Sequence, residues 1–205
     1  MFRVVCLFCI FVFAFLGASC SLRTPTQSIP MQDLSGSTHY SAHTKKLIRA
    51  ALLLSKRNLD YRFGSSDPRR GGMDCSGTMY YLMRTVAHRD IPRDASLIYV
   101  WLQRNGKLHY VHHEYFGSSD FRYLKPGDFL FWTGTYYTRR KPPITHVMLY
   151  IGKNRRGQRL MFGATTGNYG NKIIRGVGVY DFILPNRWDR ARFVAYGCIP
   201  FYTCR

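Results

Sequence analysis

The sequence predicts an α+β fold in which N-terminal helices pack on a mainly antiparallel β-sheet. Segments whose apolar residues recur at helical spacing lie between positions 44 and 106. From position 108 onward, the chain instead contains short runs of aromatic and β-branched residues, separated by Gly, Pro, Asn and charged turns. Helices followed by strands, rather than alternating with them, are typical of an α+β domain. The residues from Ser41 onward, about 165 of them, suffice for one hydrophobic core.

Three segments have the periodicity of amphipathic helices. They span residues 44–58, 78–87 and 94–106. Asp94 and Gly106 are the expected start and stop signals of the third. The second follows Asp74, whose side chain can accept hydrogen bonds from the unpaired amides of a first helical turn. Its apolar face consists of Met79, Leu82, Met83 and Val86.

Six runs are predicted to form strands. They span residues 108–112, 128–132, 144–151, 160–164, 177–182 and 192–199. Alternation within the third run places His146, Met148 and Tyr150 on one face of its strand, because successive side chains of a strand point to opposite sides. Asp128 follows Pro126 and Gly127, so we interpret it as a turn residue.

The N-terminal residues 1–20 are predicted to be a signal peptide for export. Arg3 provides the positive start, an apolar stretch follows, and the small residues 17–19 precede a cleavage point. The stretch is shorter than the about 20 apolar residues of a comfortable transmembrane helix. Cys20 suggests a lipoprotein signal, although Gly17 stands where such signals usually carry Leu. Lipidation of Cys20, simple cleavage and release, and an uncleaved anchor therefore remain alternatives.

The region after the signal divides into a linker and a domain. Residues 21–40 are rich in Ser, Thr, Pro and Gln with little hydrophobicity, so we expect a flexible tether. Residues 41–205 are expected to form a single domain. An exported chain of this kind would reside in the periplasm or cell envelope, with or without a lipid anchor, and we expect it to be a monomer.

The chain is strongly basic, with 30 Lys and Arg, 11 acidic residues and a formal net charge of +19. Loss of residues 1–19, whose one charged side chain is Arg3, would leave +18. Such a charge attracts polyanions, whether a membrane surface, a cell-wall polymer or nucleic acid. Nucleic acid is not expected as a partner, because the protein is exported and lacks nucleic-acid-binding motifs. A solvated, solubilising surface is the alternative interpretation.

Three cysteines follow the signal segment: Cys75, Cys198 and Cys204. In an oxidising compartment the last two could form a small disulfide loop, which would leave Cys75 as the unpaired thiol. Neither zinc nor haem ligand spacing is present, so we expect no metal and no cofactor.

Cys75 is the first candidate for chemistry. At the start of a helix the positive end of the macrodipole favours a thiolate, which is the nucleophilic form of cysteine. A small cysteine buried in the core is the alternative, since Cys is among the most buried residue types. The candidate partner is His146, because an imidazole on a facing strand can take the proton of a thiol.

The order of several motifs resembles the NlpC family of bacterial cell-wall cysteine endopeptidases. The motifs are Tyr61-x-Phe63-Gly64, Asp74-Cys75-Ser76-Gly77, Ile91-Pro92-Arg93, Leu124-Lys125-Pro126-Gly127-Asp128-Phe129 and His146-Val147-x-x-Tyr150-x-Gly152. The resemblance covers residues 47 to about 200. It implies a papain-like fold and cleavage of γ-D-glutamyl-diamino acid bonds in peptidoglycan stem peptides.

The resemblance also implies residue roles. Cys75 and His146 would be nucleophile and base, while Tyr61, Asp74 and Ser76 would hold the free amine of the peptide's N-terminal alanine. Two of these substrate-binding residues have an alternative role. Asp74 can cap the helix instead, and Tyr61 can be a core aromatic. The backbone N–H of Cys75 is a natural oxyanion donor.

The chain departs from the family at the third catalytic position. The family usually has a His there, sometimes Asn or Gln, whereas the matching residue here is Gly163. Orientation of the imidazole would then come from Thr165, Thr166 or a main-chain carbonyl, or be absent. The leading hypothesis is a stem-peptide endopeptidase. The alternatives are a CHAP-like amidase acting on another wall bond, and a cationic wall-binding lipoprotein whose site has decayed.

Overall fold

The computed structural model describes residues 26–204, so the predicted signal peptide and Cys20 lie outside the described residues. Three α-helices precede a six-stranded antiparallel sheet, which confirms the predicted α+β fold. The helices are α1 (Ala42–Ser55), α2 (Cys75–Leu82) and α3 (Ala95–Arg104), and α2 continues as a π-helical turn over Met83–Ala87. No helix of the described part is long and apolar enough to cross a membrane.

The strands form one large sheet and one small pair. The pair, missed by the sequence prediction, consists of β1 (Asp60–Tyr61) and β2 (Gly72–Met73), which run parallel. The sheet has the order β3-β8-β4-β5-β6-β7. Its strands are β3 (Leu108–Tyr110), β4 (Asp128–Thr133), β5 (Ile144–Lys153), β6 (Arg159–Tyr169), β7 (Lys172–Asp181) and β8 (Arg192–Cys198). All six predicted strands are present, and β6 and β7 are longer than predicted.

Side-chain caps fix where each helix begins. Ser41 accepts a hydrogen bond from the Thr44 amide at the start of α1. Asp74 and Asp94 do the same for α2 and α3, as predicted. Since Asp74 precedes Cys75 directly, this cap determines that the thiol lies in the first turn of α2.

The sheet separates two apolar regions. On the helix side, α1–α3 pack against inward residues of β5 such as Val147 and Leu149. The other face carries an aromatic cluster that includes Trp132, Met148 and Tyr150. His146 belongs to the face of Met148 and Tyr150, as the alternation predicted, whereas Cys75 packs in the helix-side core.

The expectation of a flexible tether over residues 21–40 is wrong for residues 26–40. Leu34 is 2% exposed and forms a β-bridge with Asn154. The Val179 amide donates to the Gln27 carbonyl at 2.8 Å, so the segment covers the free edge of β7. A few buried apolar side chains among many polar ones are enough to anchor it, which composition alone does not reveal.

The C-terminal end is held by a disulfide between Cys198 and Cys204, which leaves Cys75 as the free, buried cysteine of the described part. Nearby, Asp128 fills the turn role that we predicted, since its Oδ2 accepts from the Lys125 amide at 2.9 Å. Asp128 is also 1% exposed, and burial raises the pKa of its carboxyl to about 7.

Candidate active site

Cys75 lies where two strands of the sheet separate. Pairing between β5 and β6 begins only at Leu149, so the earlier part of β5 has no β6 partner. The start of α2 occupies this gap, and the Val147 amide donates a hydrogen bond to the Cys75 sulfur. Cys75 is 7% exposed. Sheet geometry therefore positions the sulfur beside the strand that carries His146.

Asp74 is surrounded by donors. Its Oδ1 accepts from the Gly77 amide at 2.6 Å and from the Ser76 hydroxyl at 3.3 Å, and its Oδ2 accepts from the Gly64 amide at 2.7 Å. The guanidinium of Arg93 adds a two-pronged ion pair, with Nη1–Oδ1 at 2.9 Å and Nη2–Oδ2 at 2.8 Å. The carboxylate caps the helix and is fully committed to protein donors.

This arrangement bears on the role of Asp74 and explains a neighbouring glycine. Asp74 was expected either to cap α2 or to face a substrate ammonium; it caps α2 and also lines the cavity beside Cys75, and its role toward a substrate stays a prediction. A side chain at Gly77 would collide with the Ser65 carbonyl and with the Arg93 guanidinium. Sequence reasoning noticed Arg93 only as part of a motif and missed its contact with Asp74.

Two adjacent cavities surround these residues. A cavity of about 260 Å³ is lined by Asp74, Cys75 and Ser76, and a larger cleft of about 780 Å³ is lined by His146. Four residues line both: Tyr61, Phe63, Tyr136 and Thr145. The parallel strands β1 and β2 bring Tyr61 beside the start of α2. The structure thus gathers the residues predicted for catalysis and substrate binding, Cys75, His146, Tyr61, Asp74 and Ser76, around one divided depression. Tyr61 lies in its wall and also packs against the core.

His146 is held by packing alone. Its ring lies 5.7 Å from that of Trp132, the residue opposite it on β4. Within residues 26–204 the imidazole makes no hydrogen bond, either to Cys75 or to any other group. The side chain is half-buried. Tyr136, which stands between the two cavities, was not singled out from the sequence.

Burial sets the ionisation of both groups. It raises the pKa of the Cys75 thiol to about 11, even though the amides of Val147 and Ser76 oppose the shift. Burial also lowers the pKa of His146 to about 4, against the opposing charge of Asp74. Near neutral pH the resting pair is therefore a thiol and a neutral imidazole. The expected thiolate at the helix start is not the resting form.

At Gly163, the residue predicted to match the family's third catalytic position, the space is occupied by a neighbouring side chain. A Cβ on Gly163 would lie 2.5 Å from Sδ of Met148, so Met148 occupies the space above this glycine. Thr165 and Thr166 line the cleft of His146, but neither bonds to the imidazole. The Thr165 hydroxyl donates to the Thr166 carbonyl instead, at 3.4 Å.

Comparison with known protein families gives a match by sequence. Residues 58–173 match the sequence model of the NlpC/P60 family. A crystal structure from Staphylococcus aureus subsp. aureus Mu50, described as similar to lipoprotein, NLP/P60 family, superimposes with a TM-score of 0.49 at 18% identity. That match covers 86% of this chain and 44% of the other, so this chain spans less than half of its neighbour's length. No curated protein matches. Because the family match covers more than half of its residues, the chain belongs to the NlpC/P60 family.

Proposed function

We propose that this protein is a cysteine peptidase that hydrolyses γ-D-glutamyl-diamino acid bonds in peptidoglycan stem peptides. Membership in the NlpC/P60 family indicates a peptidoglycan-related hydrolase in general terms. One observation supports the more specific proposal. Cys75 is a free thiol in the first turn of α2, and the cavity that it lines shares a wall with the cleft lined by His146.

The first half of the reaction transfers the acyl group to the sulfur. The Cys75 thiol gives its proton to the neutral imidazole of His146 as the sulfur attacks the glutamyl carbonyl. The resulting oxyanion can bind the Cys75 amide, because an amide in the first turn of a helix has no helical acceptor. Collapse breaks the C–N bond, and the departing amine takes the proton from His146.

The second half releases the product. A water molecule attacks the thioester while His146 takes one of its protons, and the protonated imidazole then returns a proton to the sulfur. A neutral starting pair suits this cycle, since the imidazole must be unprotonated to accept the first proton. Burial of the thiol restricts attack to a substrate that reaches into the divided depression.

We also propose that the protein is exported to the cell envelope, with a lipid on Cys20 or as a released form. The support is the signal-like segment at residues 1–20 together with the Cys198–Cys204 disulfide, which suits an oxidising compartment. The positive charge would keep such a protein near the anionic wall.

Digestion of purified peptidoglycan, followed by mass spectrometry of the fragments, tests the reaction. New termini at the diamino acid are expected with the wild type. Cys75→Ala and His146→Ala are each expected to retain less than about a tenth of that activity. A different cleaved bond, such as that between glycan and peptide, would favour the amidase alternative.

A non-catalytic wall-binding protein is the second candidate. The absence of a hydrogen bond on His146 within residues 26–204 and the raised pKa of Cys75 favour it. The same digestion decides between the two, because a binder would sediment with peptidoglycan and release no fragments.

A further inference from the structure

The cavity beside Cys75 offers no free carboxylate to a positively charged ligand. Of the two acids that line it, Asp74 accepts five hydrogen bonds and is ion-paired to Arg93. The other, Asp94, caps α3 through the Ser96 amide and forms an ion pair with Arg140. A free ammonium group would find the acceptor positions of Asp74 filled and would have to share Asp94 with Arg140, so the cavity offers it little net attraction.

Two loops that contribute lining residues to the two cavities have a distinct composition. The loops, residues 137–141 and 187–190, form what we call the aromatic–basic lip. They carry five basic residues and one acidic residue. The second loop contacts the segment just before the first, where the Arg190 guanidinium donates to the Gly134 carbonyl at 3.0 Å. Gly134 and Arg190 both line the cleft of His146, and Arg140 lines the cavity of Cys75.

Two aromatic side chains of the lip are largely exposed. Tyr137 is 77% exposed and Trp188 is 82% exposed. The Arg187 guanidinium lies 4.6 Å from the centre of the Trp188 ring. Broad rings of this kind provide apolar stacking surfaces, while neighbouring arginines bind carboxylates. Together they match a ligand that combines sugar rings with carboxylate groups.

We infer that the aromatic–basic lip binds the glycan-linked part of polymeric peptidoglycan, so that the preferred substrate is a stem peptide still attached to its sugars. This inference rests on the proposed function and extends it to the form of the substrate. In such a substrate the N-terminal alanine is acylated and carries no ammonium, which fits a cavity whose carboxylates are already paired. The sugar rings would stack on Tyr137 and Trp188, and the carboxylates of the stem would face the lip cations.

Kinetics on two soluble substrates test the inference. The full chain is assayed on a disaccharide-linked tetrapeptide and on the same tetrapeptide with a free amino terminus. We expect kcat/KM to be higher for the linked form. The variant Tyr137→Ala/Trp188→Ala is expected to lower the ratio of the two values by about fivefold or more, through lost stacking. Faster cleavage of the free peptide by the wild type, or an unchanged ratio in the variant, would overturn the inference.

Two controls separate the lip from general surface effects. Phe201→Ala removes an aromatic side chain that is 75% exposed elsewhere on the surface. Arg155→Gln/Arg156→Gln removes two exposed cations from a cavity that shares no lining residue with the cleft. Neither control should change the substrate ratio. An equal fall in the controls would contradict a specific role for the lip.

A binding measurement keeps the inference testable if the proposed reaction is wrong. If the wild type cleaves neither soluble substrate, the proposed function fails. Cosedimentation with polymeric peptidoglycan then tests whether the lip binds it, with every variant made in a Cys75→Ala background. Less binding by the Tyr137→Ala/Trp188→Ala variant than by the Phe201→Ala control supports the lip, and equal binding overturns it.

Discussion

The two halves of the candidate site are built in opposite ways. Around Asp74, five donors converge on one carboxylate and fix the start of α2, and with it Cys75. His146 lies on a strand, half-buried, with a tilted ring contact to Trp132 and no hydrogen bond within the described residues. The nucleophile side is therefore specified by polar contacts, and the base side by packing.

This difference indicates which side chain is fixed in position and which can change its orientation. A buried, fully bonded carboxylate has one geometry, because losing any partner leaves a desolvated group unsatisfied. An imidazole held by packing alone can change its ring orientation without losing a hydrogen bond. We therefore expect the sulfur to hold its place in the resting protein and the imidazole to adopt its reactive orientation when substrate fills the cleft.

The largest expected effect comes from Asp74→Ala. It removes a helix cap and leaves Arg93 without its buried partner, so the free energy of unfolding should fall by about 3–5 kcal/mol. Asp94→Ala is the matched control, since Asp94 also caps a helix and pairs with an arginine, but at a side chain 30% exposed. There the fall should be about 1–2 kcal/mol. If denaturant titrations showed the same loss of unfolding free energy for both variants, the predicted difference between the two carboxylates would be contradicted.

A second effect concerns the thiol. With its pKa raised to about 11, Cys75 should react with iodoacetamide more than about 100-fold more slowly at pH 7 than the same thiol in unfolded protein, because the thiolate fraction falls tenfold per pH unit below the pKa. The rate should rise steadily from pH 7 to pH 10. Rapid alkylation at mildly acidic pH would instead indicate a pre-formed thiolate. Tyr136→Ala, which opens the wall between the cavities, should accelerate the reaction.

A moderate effect is expected at the third catalytic position. Gly163→His would force a ring into the space of Met148, at a cost of about 1–3 kcal/mol of stability. Gly163→His/Met148→Gly makes room for the ring, so it should relieve the clash, although the lost methionine packing offsets part of that gain, and it should raise the turnover number, because the new imidazole could orient His146. Thermal unfolding and turnover of both variants check this. A double variant no more active than the single one would mean that His146 needs no orienting group.

The smallest effect is expected from Thr165→Val and Thr166→Val. Neither hydroxyl bonds to His146, so each change should alter turnover by less than about threefold, the scale of a weak exposed contact. A much larger loss in either variant would show that a threonine orients the ring during the reaction, and the contrast between the two halves would then weaken.

Local signals in the sequence accounted for much of the fold and for the position of the candidate pair. Apolar spacing predicted the α2 face, and the Asp74 cap predicted that Cys75 would begin the helix. Alternation along β5 predicted which face carries His146. Each of these depends on residues close together in the chain, where geometry is fixed by helix and strand periods.

Features that depend on distant contacts were missed. Arg93 reaches Asp74 across 19 residues, and Met148 fills the space above Gly163 from a neighbouring strand. The shift of the Cys75 pKa likewise reflects burial by the whole site, which overrides the helix-end effect expected from position alone. The packing of residues 26–40 was not predicted, because the segment is largely polar and only a few of its apolar side chains are buried.

The most direct test of the central proposal is to trap the acyl-enzyme. The full chain is mixed with a stem peptide, quenched with acid within one turnover, digested and analysed by mass spectrometry. The proposal predicts that the fragment containing Cys75 gains the mass of the peptide's acyl portion, and that Cys75→Ala neither gains this mass nor hydrolyses the peptide. Hydrolysis by Cys75→Ala, or an adduct on another residue, would contradict it.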